Sequence, residues 1–179
     1  MNPLSVSAAG ASAASHPQQC TADLVGGAQG THHVGNVAVQ AVDAGGHTAP
    51  VTAESTTSGG SADATAASAR IVVGHTVIQL GAISSHAAIR CTYGASGARF
   101  SFSGTSSVSS LRINGRPVRL RADAMDIAVP GGHLHLNHAD LGTTGLVQHA
   151  VLLDTGSAHV VIGESAVALA STVDNPCHP

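Results

Sequence analysis

Apolar residues along this chain fall in short runs in which alternate positions are polar or small, and the runs are broken by Gly, Pro, Asn and Asp. In "VGNVAVQAV", Val37, Val39 and Ala41 alternate with Ala38, Gln40 and Val42, the period of a strand with one buried face. β-Branched runs follow at 71–73 and 77–80, and in "ARFSFSG" Phe100 and Phe102 share a face. Two longer apolar runs, 146–153 and 158–169, flank the "DTGS" stretch. The low-complexity segment 56–69, "TTSGGSADATAASA", reads as a loop or an irregular edge strand. No stretch has the spacing of an amphipathic helix. Turn signals about every ten residues predict an all-β fold, a β-sandwich of roughly eight to ten short antiparallel strands.

The sharpest local signal is "SSLRINGRPVRLRA". Asn114-Gly115 supplies the two positive-φ positions of a type I′ hairpin turn. Counting outward sets Leu111 opposite Val118 and Ile113 opposite Arg116. Leu111, Ile113, Val118 and Leu120 then face the core, and Arg112, Arg119 and Arg121 face the other way. After "VPGG", the stretch "HLHLNHAD" puts Leu134 and Leu136 on one face and His133 and His135 on the other.

Composition narrows the classes. Hydrophobic residues reach 43% and charged ones only 9%, so the chain has enough apolar surface to fold and is not of the disordered type. Its 179 residues suit one domain, 20–172, between a disordered Ala/Ser-rich tail (1–19) and a short C-terminal tail (173–179). Lysine is absent, and the net charge of -3 argues against general nucleic-acid binding. Aromatics at 2% argue against a carbohydrate platform of stacked rings. No segment reaches the roughly 18 apolar residues of a membrane span. The opening "MNPLSVSAAGASAAS" has neither a basic start nor a strong apolar core, so it does not read as a signal peptide, and the C-terminal residues do not read as an anchor. Cys20, Cys91 and Cys177 are too far apart for a metal knuckle. One disulfide and one leftover thiol is the simplest arithmetic, with Cys20–Cys91 favoured among the three pairings. A bridge of that length would add about 4 kcal/mol in the chain-entropy model.

"GTSSVSSLRINGRPV", "IAVPGGHLHLNHAD" and "GLVQHAVLLDTGSAHVVIGESAVAL" occur in that order, and the order resembles the choice-of-anchor P family of secreted, mainly actinobacterial proteins. The resemblance spans about 71–169 and is most specific in the hairpin and the "VVIGESA" ending. It implies an exported, surface-associated β domain without an established activity. His138 stands where that pattern carries an acidic residue.

Four chemistries are open to weighing. "DTGS" is the loop signature of aspartic proteases, but such catalysis needs two aspartates sharing a proton. No second D-T/S-G occurs, and the segment after Asp154 is too short for a substrate flap, so Asp154 reads as a turn residue. Of the 12 histidines, His133 and His135 project from one side of a strand and suit zinc or copper, with a third ligand from His138, His149 or His159. Strand alternation turns His138 away unless the chain bends after Asn137. "THH" (His32, His33) is a poorer candidate. Arg112, Arg119 and Arg121, with Arg116 at the hairpin tip, suit sulfate, phosphate or carboxylate groups of a surface polymer. The ordinary meaning of such rows is a solvated face that also guards a sheet edge. No nucleophile elbow or phosphate loop is present.

The expectation is therefore a non-enzymatic exported module of a cell surface or extracellular matrix, without a cofactor. It would bind a polymer or protein partner, or self-associate by strand pairing. The alternative is a histidine-dependent Zn or Cu protein, and an aspartic protease comes third.

Overall fold

The computed structural model describes residues 5–6, 23–24, 30–34, 37–42, 45–53, 57–94, 97–155 and 159–168. Among these the chain forms only strands: β1 (Ser5–Val6), β2 (Asp23–Leu24), β3 (Gly30–Val34), β4 (Val37–Val42), β5 (Gly45–Ala53), β6 (Thr57–Ala66), β7 (Ser68–Val73) and β8 (Thr76–Leu80), followed by β9 (Ile83–Gly94), β10 (Gly97–Val108), β11 (Leu111–Ile113), β12 (Arg116–Val118), β13 (Met125–Val129), β14 (Gly132–Leu141), β15 (Gly145–Thr155) and β16 (His159–Ala168). The fold is all-β. A six-stranded sheet has the order β12-β11-β8-β7-β4-β3, and two four-stranded sheets have the orders β10-β9-β6-β5 and β13-β14-β15-β16. Every pairing in these three is antiparallel. Of the expected N-terminal tail only β1 is described, and it pairs in parallel with β2. The rest of that tail and residues 173–179 lie outside the described residues.

The strands outnumber the eight to ten expected, and β6 shows why. Its Thr/Ser/Gly/Ala sequence lies between β9 and β5 as an interior strand, not a loop or an edge. Ala62, Ala64 and Ala66 are buried at alternate positions. The period-two pattern is present there, written in methyl groups instead of branched side chains.

Small residues also set how the layers meet. Cα atoms of β9 and β6 come within 8 Å of β16, and those of β10 within 8 Å of β15, closer than the about 10 Å of ordinary sheet packing. Ala87 and Ser165 are fully buried. A Cβ on Gly104 would lie 2.5 Å from Gln148 Oε1 and 2.9 Å from Leu146 Cδ2. The larger core joins Val37, Ile71, Ile78 and Leu111 of the six-stranded sheet to Leu134, Leu136, Val151 and Ile162 of the β13–β16 sheet. A second cluster joins Ala87 to Leu146 and Val167, with Phe102 against it.

The hairpin has the expected register, Leu111 opposite Val118 and Ile113 opposite Arg116. Asn114 and Gly115 take φ values of 51° and 77°. Asn114 Oδ1 accepts from Val77 N at 2.8 Å, and Asn114 N donates to Val77 O at 2.8 Å. The turn is thereby pinned to β8.

Candidate functional site

The β13–β16 sheet carries five histidines, His133, His135, His138, His149 and His159, and four acids, Asp126, Asp140, Asp154 and Glu164. β13 and β14 are joined through Pro130-Gly131, with Gly131 at φ 84°. That turn fixes a register in which Asp126 faces His135 and Ala128 faces His133. Leu134 and Leu136 are buried while His133 stays exposed, in the expected alternation.

The alternation breaks at Asn137. Its φ is 53°, and Gly163, two strands away, has φ 68°. Pairing keeps its register on either side: Leu136 with Val151 and His138 with His149, then Val151 with Ile162 and His149 with Glu164. A row of left-handed residues flanking Ala150 therefore turns the strand faces over without inserting a residue. His138 is brought round to the side of His135, the bend that its participation required. The result is a continuous ladder of imidazoles. Ring centroids are 6.0 Å apart from His133 to His135, 5.8 Å from His135 to His138 and 6.2 Å from His138 to His149.

Carboxylates line this ladder. Asp126 Oδ1 lies 2.9 Å from His133 Nδ1 and 3.8 Å from His135 Nδ1. Asp140 spans the next two rings, with Oδ1 at 3.2 Å from His138 Nε2 and Oδ2 at 3.3 Å from His149 Nε2. Glu164 Oε2 lies 3.3 Å from His149 Nδ1, in ion-pair range but off the line of a good hydrogen bond. The His149 side chain is only 9% exposed. Burial disfavours its charged form, but Glu164 and Asp140 outweigh burial and hold its pKa above the ordinary 6.5. A shallow open depression at the other end of the ladder is lined by Asp126, Gly132, His133, His135, Asp154 and Thr155.

Beneath the ladder, polar groups hold the kink. Asn137 Nδ2 donates to Ala122 O at 2.7 Å, and Ser106 Oγ donates to Asn137 Oδ1 at 2.8 Å. Gln148, 1% exposed, directs Nε2 at Ser106 Oγ, Asn137 Oδ1 and His138 O, at 3.0, 3.1 and 3.2 Å. This buried amide is therefore well satisfied.

Of the third ligands expected beside His133 and His135, His138 and His149 join the ladder, while His159 sits apart, 3.9 Å from Asp154. Among the described residues no group of three or more His, Cys, Asp or Glu side chains could hold a metal ion. The ladder's carboxylates, Asp126, Asp140 and Glu164, were not anticipated. Two of them were within reach of counting: outward from Pro130-Gly131 to Asp126 and His135, and outward from "DTGS" to His149 and Glu164.

Asp154 is not the turn residue expected of "DTGS". It is in β15, paired with His133 on one side and His159 on the other. Arg112, Arg116, Arg119 and Arg121 are all exposed, and among the described residues none is in an ion pair. Arg112 continues inward as a cross-strand row, with Gln79 opposite it and Arg70 opposite Gln79. Sequence counting had not found Arg70. On the other four-stranded sheet, His86 Nδ1 meets Asp63 Oδ1 at 2.7 Å, with Thr105 opposite His86 in register. Among the described residues no hydrogen bond links that ring to a hydroxyl. Cys91 lies in β9 opposite Phe100, its side chain outside those described. Cys20 and Cys177 lie outside the described residues, and the side chains of His32 and His33 do too.

No described helix is long and apolar enough to cross a membrane. Compared with protein-family models, with curated proteins and with solved structures, the chain matches none.

Proposed function

We propose that this chain is a non-enzymatic module of an exported cell surface or matrix, which engages an anionic polymer through the arginines of the β11–β12 hairpin. The observation that carries this reading is the cross-strand row of exposed Arg112, Gln79 and Arg70, with exposed Arg116 in the hairpin's second strand and exposed Arg119 and Arg121 just after it in the chain. Alternate strands are about 9–10 Å apart, so Arg112 and Arg70 are spaced to take successive charged groups of an extended chain. Guanidinium forks suit sulfate, phosphate and carboxylate alike. In this reading the two closely packed four-stranded sheets are the layers of the sandwich, and they supply a rigid backing. The resemblance to the choice-of-anchor P pattern over 71–169 points to the same setting.

The test is retention of the untagged protein on immobilised dextran sulfate, against uncharged dextran, across a salt series. Binding that weakens with salt, and that falls at least about tenfold in Arg112→Gln/Arg119→Gln, supports the reading. Equal retention on both matrices, or none on either, overturns it.

A further inference from the structure

We propose that the open edge of β10 is a docking site for a second copy of this chain, whose own β10 adds to it antiparallel about a two-fold axis at Phe102. The two β10-β9-β6-β5 sheets then become one continuous sheet. The arginine row lies on the six-stranded sheet, so this interface is independent of any polymer binding.

β10 is the least guarded of the sheet edges. The three antiparallel sheets end on β12 and β3, on β10 and β5, and on β13 and β16. β3, β12 and β13 have five residues or fewer. β5 contains Pro50 and a register shift between Ala49 and Thr52, and β16 is kinked at Gly163 and carries Glu164. Short length, proline, irregularity and charge are the devices that keep edges from pairing. β10 has 12 residues, an unbroken register with β9 and a single charge, Arg99. Its free hydrogen-bonding groups follow from the ladder. Ser109 N donates to Ala82 O at 2.8 Å, in step with the β10–β9 register. Alternate residues counted back from Ser109 bond to β9, so Phe100, Phe102 and Gly104 turn their N–H and C=O outward. Among the described residues no strand pairs with them.

The layer beneath continues past that edge. β9 approaches β16 and β15, and β10 approaches β15 and β14, within 8 Å between Cα atoms, so β14 reaches out beyond β10. Gly104 stands over Leu146 and Gln148. In β14, Leu141 is opposite Leu146 and Ala139 is opposite Gln148, and opposed residues share a face. Leu146 and Gln148 are buried, whereas Leu141 is 69% exposed. Phe100, 42% exposed, lies on the same inward face of β10 as Phe102 and Gly104, its ring 5.6 Å from that of Phe102. In a pairing centred on Phe102, Phe100 of the second copy falls opposite Gly104, and so above Ala139 and Leu141. The two-fold axis repeats the contact, and each copy's exposed ring covers the other's exposed leucine. Arg99 faces Thr105 of the second copy, so no like charges meet. This self-complementarity selects a second copy over an unrelated strand. Ser107 and Val108 line a pocket with Leu120 and Arg121, which flank the far end of β10 and confine the pairing to 99–105.

The experiment is sedimentation velocity on the untagged full-length protein over a concentration series, with non-reducing electrophoresis to exclude a disulfide-linked dimer. The wild type is expected to pass reversibly from monomer to dimer as concentration rises. Phe100→Lys and Leu141→Glu should each weaken dimerisation by at least about tenfold, because each sets a charge against an apolar group in the interface. Val42→Glu, at an exposed apolar position of the six-stranded sheet, should dimerise as the wild type does, and so should Arg112→Gln. Because the replaced side chains are exposed, circular dichroism should show all variants folded. Two results overturn the proposal: a wild type that is monomeric at every concentration, or a dimer that Phe100→Lys and Leu141→Glu leave unchanged. Should Phe100→Lys fail to fold, Leu141→Glu alone decides it by the same criterion.

Discussion

Gln148 Nε2 lies 3.1 Å from Asn137 Oδ1, so a buried amide on β15 holds the one residue of β14 that departs from strand conformation. The two side chains act on different aspects of the kink. Asn137 supplies a residue type that tolerates φ near 53°, and Gln148 supplies the bond that keeps it there. Asn137→Gly preserves the backbone freedom and loses the bonds, whereas Asn137→Val loses both. Denaturant melts should show the valine variant as the less stable of the two, by about 1–2 kcal/mol. Gln148→Leu leaves His138 O without its side-chain donor and should cost about 1–3 kcal/mol. Equal stability of the glycine and valine variants would remove the conformational argument.

Ser85 and Ser165 have buried hydroxyls with no hydrogen-bond partner among the described residues, one in β9 and one in β16. Desolvating a hydroxyl without a partner is unfavourable. Ser85→Ala and Ser165→Ala should therefore raise stability, each by up to about 1 kcal/mol, read as a higher melting temperature. A lower one would mean that a hydroxyl has a partner after all.

Gly163 is the second left-handed position of the kink. An added Cβ there would stand 3.0 Å from Ile83 Cγ2 and 3.1 Å from Ala150 Cβ, at φ +68°. Gly163→Ala should cost about 1–2 kcal/mol for the backbone alone, with crowding in addition. Gly74 is a useful control, since its φ is +57° with nothing within 4 Å of an added Cβ. Chemical denaturation should find Gly74→Ala the milder change.

His149 gives the fold a pH dependence. Its folded pKa lies above its ordinary value, so the native state binds the proton more tightly than the unfolded chain does. That contribution is complete below about pH 6.5 and is lost as pH rises through the raised folded value. Melting temperature should fall as pH rises above about 6.5, and His149→Gln should flatten that slope. A variant that keeps the wild-type slope would assign it to other groups.

Much of the fold was legible because several turns announce themselves. Asn114-Gly115 fixed the hairpin register residue by residue, and the Leu/His alternation of 133–136 placed inside and outside correctly. Segment 57–66 was not legible as an interior strand. Strand signals in sequence are chiefly branched and aromatic side chains, and here the buried positions are alanines whose value comes from how closely two sheets approach. The ladder was half legible. His133 and His135 follow from spacing, but His138 depends on the φ of Asn137, and an Asn between Leu and His gives no local sign of a left-handed residue. The acids come from other strands, so their roles emerge only when register is known.

The close approach of the sheets also has a consequence for what folding must overcome. Ala62, Ala64 and Ala87 have no rotamers to freeze, so ordering this layer costs almost no side-chain entropy. The glycine-rich backbone carries the cost instead, because glycine loses the most freedom on folding. The stability of such a layer is governed to an unusual degree by how freely the unfolded chain can wander. A tether that confines that chain, whether a cross-link or attachment at both ends, would steady the module without adding a single contact to its folded form.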